Sequence, residues 1–140
     1  MKKLLILILI APLMLLSCKQ EKPAENEQMK RVIAIHDEVM PQMTKLTKLV
    51  GELKPLADST ETGAPYQKAM TDLQESHELM MSWMKGFGDR FTHEEILQGK
   101  ELSPEKEIWL DEEEIKVKEM RDKVNESVAN AEKLLSKPSE

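Results

Sequence analysis

The sequence predicts an all-α protein: an antiparallel three-helix bundle that runs up-down-up, with a short extra helical turn between helices two and three. Apolar residues recur at alternating steps of three and four in three long segments, the spacing of a helix face that packs against its neighbours. Connectors rich in Gly, Pro, Ser and Thr separate those segments. No alternation of Val, Ile and Thr indicates a strand, so the sequence favours a purely helical class.

The N-terminal segment has the pattern of a bacterial lipoprotein signal peptide. Two lysines precede an almost wholly apolar run at residues 4–16, which is shorter than the roughly 20 residues that a membrane-spanning helix needs. The motif LLSC at residues 15–18 resembles a lipobox, in which a small residue precedes the acylated cysteine. We therefore expect residues 1–17 to be cleaved off and Cys18 to carry the lipid, for example palmitate, that anchors the chain.

The chain from Cys18 onward divides into three predicted parts. Residues 18–28 are polar and charged and include Pro23, and they are predicted to be a lipidated flexible tether. Residues 29–136 are predicted to form the helical bundle domain, and residues 137–140 a tail. Lys19 stands where an Asp would mark retention in the inner membrane of enterobacteria, so the sequence favours the outer membrane.

The charge of the mature chain excludes one class of partner. Loss of Lys2 and Lys3 with the signal leaves 18 of the 20 basic residues against 26 acidic ones, a formal charge of −8. Contacts to phosphates need clustered Lys and Arg, so we expect no nucleic-acid partner. The single cysteine cannot form an internal disulfide, and the mature chain is long enough to bury a core without one.

The first helix is predicted from about Asn26 to Ala57. Pro41 lies within it and has no backbone N–H to donate, so we expect a kink there. Its apolar seam is Val32, His36, Val39, Met43, Leu46, Val50 and Leu53.

The second helix is predicted to begin at Ala64-Pro65 and to end at about Gly86, with Gly88 as a further stop signal. Its apolar seam is Tyr66, Met70, Leu73, His77, Met80, Met84 and Phe87.

The connector that follows and the third helix carry their own start signals. Thr92 and Glu95 have the spacing of a capping box, which predicts a short helix closed by Gly99. The third helix is predicted from Ser103-Pro104 to about Ser136. Its seam residues recur every seven positions, at Leu110, Val117, Val124 and Ala131.

The two predicted seams bring histidines next to methionines. The short link makes the first two helices antiparallel neighbours and pairs positions whose numbers sum to about 119 or 120, so His36 faces Met84 and Met43 faces His77. Imidazole and thioether groups suit copper, particularly Cu(I), and one of each can also ligate haem iron. Metal ligation by these four residues is therefore one hypothesis.

A structural role for the same residues is the leading interpretation. Methionine fills irregular gaps in helical cores, and neighbouring carboxylates such as Asp37 and Glu78 are available to hold the histidines. The sequence contains neither a Cys-x-x-Cys-His haem motif nor a phosphate-binding glycine loop, and no nucleophile stands in a recognisable His–Asp set. We therefore expect no catalysis and no resident cofactor.

Two segments resemble a group of small helical lipoproteins from Bacteroidota. They are MKRVIAIHDEVMPQM at residues 29–43 and HELMMSWM at residues 77–84, and the predicted third helix has a similar Val- and Lys-rich form. Members often carry the automatic label "viral A-type inclusion protein". The resemblance implies an envelope location and a small helical domain, and nothing about activity.

These expectations combine into one functional hypothesis. The chain is a lipid-anchored envelope protein whose domain is a noncatalytic binding or structural module. Its expected partners are the membrane, through the N-terminal lipid, and either another envelope protein, a small ligand or a second copy of itself.

Overall fold

The computed structural model describes residues 26–136, which are helical throughout apart from the connectors and contain no strand. The five helices are α1 (Glu27–Val39), α2 (Gln42–Leu53), α3 (Ala64–Arg90), α4 (His93–Leu97) and α5 (Pro104–Leu135). None of these helices has the length and apolar composition to cross a membrane. The predicted signal peptide, Cys18, most of the predicted tether and the tail lie outside the described residues.

The segment predicted as one kinked helix is two helices, α1 and α2, separated at Met40 and Pro41. Because the Pro41 nitrogen carries no hydrogen, the bond to the carbonyl of Asp37 cannot form. Met40 and Pro41 keep helical dihedral angles, with φ of −50° and −60°. The Met43 N–H donates to the Met40 carbonyl at 3.1 Å, one residue short of the α-helical spacing. The prediction of three long helices is thus corrected to four, with the short α4 as the fifth.

The start of each helix reflects its local sequence. The Asn26 side chain accepts hydrogen bonds from the N–H groups of Gln28 and Met29, both at 3.0 Å, and so caps α1. Ser103 caps α5 in the same way, through a longer contact of 3.4 Å from the Lys106 N–H. These side chains satisfy backbone donors that have no partner within the helix.

The capping box predicted before α4 is present. The Thr92 hydroxyl accepts from the Glu95 N–H at 3.4 Å, and the Glu95 carboxylate accepts from the Thr92 N–H at 2.8 Å. Gly99 follows α4 with a φ of 68°, a left-handed conformation that glycine adopts without a steric penalty. The Glu95 carboxylate also accepts from Lys106 at 2.6 Å, which ties α4 to the first turn of α5.

α5 packs against α1, α2 and α3, and α2 also packs against α3. The four predicted seam residues of α5, spaced by seven, are all buried in the shared core: Leu110, Val117, Val124 and Ala131. These residues meet the buried side chains of the other long helices, among them Val32, Leu46, Leu53 and Leu73. Burying this apolar surface is the main term that stabilises the arrangement.

Contacts between helices show their relative directions. Along their contacts, the residue numbers of α1 and α2 increase together with those of α5, so these helices run in the same direction. The residue numbers of α3 decrease as those of α5 increase, so α3 runs in the opposite direction. Along α5 the contacts are Gln28–Asp111 at 2.7 Å, Arg31–Glu114 at 3.6 Å and Lys45–Glu132 at 2.6 Å. Between α3 and α5 they are Ser76–Ser127 at 3.0 Å and Arg90–Glu112 at 2.7 Å.

α3 differs from the prediction in its length and in its buried face. It continues through Gly86 and Gly88 to Arg90. The rings of Trp83, Phe87 and Phe91 stack at successive centroid distances of 4.9 Å, and this packing stabilises the additional helical turn. The buried stripe is Ala69, Leu73, Ser76, Met80, Trp83 and Phe87. At three predicted seam positions, Met70, His77 and Met84, the preceding residue is buried instead, because α3 packs against α5 as well as α2.

Candidate functional site

The main candidate site is a groove between α2 and α3, called here the α2–α3 groove. Its cavity of about 390 Å³ lies within the range of ordinary small-molecule pockets, roughly 300 to 1,000 Å³. The lining residues are Leu46, Thr47 and Val50 from α2, and Leu73, Gln74, His77 and Glu78 from α3.

The groove combines an apolar floor with a polar rim. Leu46 and Leu73 are fully buried and form the floor with half-buried Val50. The residue numbers of Leu46 and Leu73 add up to 119, which agrees with the register predicted from the two seams. The side chains of Gln74 and His77 offer both donors and acceptors at the edge. This combination suits a ligand with an apolar body and at least one hydrogen-bonding group.

His77 is the one predicted metal-site residue that lines the α2–α3 groove. It is half-buried on the fourth turn of α3, next to exposed Glu78. Met43, its predicted partner, is half-buried, packs against the core and is not a lining residue of the groove.

His36 occupies a different environment at the level of Trp83. Its Nδ1 lies 2.9 Å from Asp37 Oδ1, and its side chain is only 16 % exposed. The imidazole stacks on the Trp83 indole, with centroids 5.6 Å apart and planes inclined by 29°. The residue numbers of His36 and Trp83 add up to 119, whereas those of the predicted pair, His36 and Met84, add up to 120. Met84 itself is 39 % exposed.

The contact with Asp37 engages one ring nitrogen of His36. A carboxylate oxygen accepts, so Nδ1 is the donor of this hydrogen bond. The other ring nitrogen, Nε2, is buried and has no hydrogen-bond partner among the described residues. The Trp83 Nε1 donor is buried and unpartnered in the same way. A buried polar atom without a partner calls for a physical explanation.

Metal-binding clusters of the common kind are not found within residues 26–136. No three His, Cys, Asp or Glu side chains converge there in a way that could hold an ion. The predicted His–Met arrangement relies on thioether ligands, so it stays a prediction.

The best-organised charged groups lie away from the α2–α3 groove. Glu113 is almost fully buried, and its carboxylate contacts Arg90 at 3.0 Å and Lys116 at 2.9 Å. Arg90 also lies over the Trp109 ring, with 5.6 Å from its guanidinium carbon to the centroid. The contacts of Arg90 join α3 to α5, whereas the Glu113–Lys116 pair lies within α5.

Sequence reasoning missed two features of this region. It did not identify Thr47 and Gln74 as groove residues, although each directly follows a seam leucine and therefore lies beside the seam. It also did not predict the stack of Trp83 on His36, because an indole reaches across to a neighbouring helix in a way that spacing does not encode. No protein-family model, no curated protein and no solved structure matches the chain.

Proposed function

We propose that the protein is a lipid-anchored envelope protein whose helical domain is a noncatalytic binding module, with the α2–α3 groove as its ligand site. The observation that carries the proposal is the groove itself, whose floor of Leu46 and Leu73 lies beneath the polar groups of Gln74 and His77. Anchoring through Cys18 rests on the lipobox pattern, and the choice of the outer membrane rests on Lys19 in the place of an Asp.

The architecture proposed for this module is an up-down-up three-helix bundle, in which α1 and α2 together act as the first member. The opposite directions of α3 and α5 along their contacts support it. So does the burial of the seven-residue repeat on α5. The residues that line the α2–α3 groove belong to α2 and α3.

The groove is tested with a fluorescent amphiphile, 8-anilinonaphthalene-1-sulfonate, added to residues 19–140. We expect saturable binding that Val50→Asp abolishes, since it places a charge on the apolar floor. The matched control is Ile115→Asp on α5, where the side chain is already 60 % exposed. Equal binding by both variants would remove the groove as the site.

Anchoring is tested separately on protein purified from native membranes. Mass spectrometry should find an N-terminal Cys18 carrying acyl chains, and a Cys18→Ser variant should lack them and leave the membrane fraction. Metal analysis and identification of co-purifying proteins on the same sample would identify the physiological ligand. An unmodified Cys18 would exclude the lipoprotein assignment.

Copper binding is the second candidate, and the hydrogen bonding of His36 favours it. Histidines that bind metals commonly donate one ring N–H to a carboxylate and present the other nitrogen to the ion. His36 has this arrangement, with Asp37 on Nδ1 and a buried, unpartnered Nε2. Met84 and, on the next layer, Met43 and His77 are the further ligands proposed.

The copper proposal is tested by anaerobic titration of Cu(I) into protein that lacks residues 1–18. Sub-micromolar binding that disappears in His36→Ala and His77→Ala variants is the expected result. His93, exposed at the start of α4, provides the control His93→Ala, which should bind as the parent does. If no variant changes the binding, or none is seen, the histidines are structural.

A further inference from the structure

The end of the domain where α1 begins carries exposed aliphatic side chains. Leu97 on α4 is 65 % exposed and Ile108 on α5 is 62 % exposed, the two highest values among the exposed large hydrophobic residues of the described range. Both are next to residues that turn inward, since Ile96 and Trp109 pack against the core. Their exposure is therefore not a consequence of a loose local fold.

Two contacts place these side chains at the same end of the molecule. Lys106 of α5 holds Glu95 of α4 at 2.6 Å, within two residues of both Leu97 and Ile108. Gln28 of α1 contacts Asp111 of α5 at 2.7 Å, one turn beyond Ile108. The first residue of the described chain, Asn26, is thus at this end as well.

The covalent chain limits how far this end can lie from the bilayer. Eight peptide units join Cys18 to Asn26, which span at most about 29 Å when fully extended. If Cys18 carries the lipid, as the proposed function requires, Asn26 is held within this distance of the membrane, and the Leu97–Ile108 end is kept near the membrane with it. Tethering of this kind raises the effective concentration of the surface to roughly millimolar, so a weak contact suffices to be populated.

We propose that the Leu97–Ile108 end rests on the bilayer and inserts these two side chains at the lipid interface, which orients the domain on its anchor. The proposal rests on the lipid anchoring under the proposed function. The surrounding side chains, including Glu94, Glu101, Glu105 and Glu107 with Lys100, are mostly acidic. Acidic groups are repelled by anionic headgroups, so the surface is a zwitterionic one.

The test uses the acylated full-length mature protein in phosphatidylcholine vesicles with brominated acyl chains. A Trp83→Phe background leaves Trp109, next to Ile108, as the single tryptophan. We expect bromine to quench its fluorescence, and Leu97→Ser with Ile108→Ser to remove that quenching. Ile115→Ser, two turns further along α5, is the matched control and should leave it unchanged.

Flotation of the vesicles separates the two proposals. Protein that floats but shows no quenching would overturn the orientation and leave the anchor intact, whereas protein that fails to float would overturn both. Analytical ultracentrifugation of residues 19–140 measures whether the chain forms dimers. If it does, and if Ile108→Ser makes the protein monomeric, this end of the domain binds a second copy of the chain and the proposed membrane contact is overturned.

Discussion

Trp83 has a large buried ring and a polar atom that gains nothing from its surroundings. The indole contacts His36 on one side and Phe87 on the other, and it is 7 % exposed. Its Nε1 donates no hydrogen bond to any described residue. The favourable part of this side chain is therefore its packing, and the N–H adds an uncompensated loss of hydration.

Trp83→Phe should consequently destabilise the protein far less than Trp83→Ala. Phenylalanine keeps most of the ring contacts and removes the unpartnered donor, so we expect a loss below about 1.5 kcal/mol. Alanine leaves a cavity and should cost about 3 to 5 kcal/mol. Urea unfolding followed by circular dichroism measures both, and equal losses would mean that Nε1 makes an interaction in solution.

Glu95 links stability to pH. Burial by itself raises its pKa, but the Lys106 ammonium and the Thr92 N–H favour the charged form more, so the pKa lies below its ordinary value. A carboxyl group with a lowered folded-state pKa stabilises the fold above its unfolded-state pKa, about 4.3 for glutamate. That contribution is lost as the pH falls through the lower folded-state value.

We therefore expect the free energy of unfolding to decrease as the pH falls below about 5, and Glu95→Gln to weaken this dependence. Lys106→Met should weaken it too, because it removes the cation that favours the carboxylate. Unfolding in urea at a series of pH values gives the slope for each variant. A Glu95→Gln slope equal to the parent's would show that other carboxyl groups account for the acid sensitivity.

At the level of elements, the turn between α2 and α3 is fixed by close packing at Gly63. A Cβ at this position would overlap the Asp58 side chain and lie 2.8 Å from the Asp58 backbone nitrogen. Asp58 is itself held by hydrogen bonds to Thr60, whose N–H donates to its carboxylate at 2.9 Å. Backbone, not a flexible side-chain end, would have to move.

Gly63→Ala should therefore destabilise the protein by about 1 to 3 kcal/mol. Gly51→Ala is the matched control inside α2, where an added Cβ meets nothing within 4 Å. Because alanine favours helix over glycine, that change should stabilise by about 0.5 to 1 kcal/mol. Thermal melts of the two variants should shift in opposite directions, and shifts of the same sign would contradict the turn geometry.

At the level of the whole molecule, α5 is the element on which cooperative folding depends. It contacts α1, α2 and α3, and its buried residues include Leu110, Val117, Met120 and Val124. Without it, α3 and the α1–α2 pair would expose the faces that they now bury. Isolated helices are marginal in water, and tertiary packing supplies most of their stability.

A chain of residues 26–102 should accordingly lose cooperative unfolding and most of its helical circular dichroism signal. Residues 26–136 should retain both, in a single transition shared by near- and far-ultraviolet signals. The comparison uses the same buffer and protein concentration for the two chains. A cooperative melt of residues 26–102 would show that the α1–α3 part folds without α5.

The sequence by itself determined the helical class, the position of the break at Pro41, the capping box before α4 and the inward seam of α5. These features follow from local rules: a missing backbone donor, side-chain caps and a repeat of apolar residues. It also indicated the register that places Leu46 against Leu73, since a short link leaves few ways to pair two helices.

Only the tertiary structure decided which of two neighbouring stripes on α3 is buried, and how charges pair between helices. A separation of four residues favours an ion pair between Glu112 and Lys116 along α5. The folded protein instead pairs Glu112 with Arg90 of α3 and Lys116 with buried Glu113. In the folded protein α3 also extends beyond Gly86, where the rings of Trp83, Phe87 and Phe91 stack on one another. The choice of the buried stripe on α3 and the pairing of Glu112 with Arg90 depend on what a second helix presents across the contact, and periodicity along one helix carries no information about that.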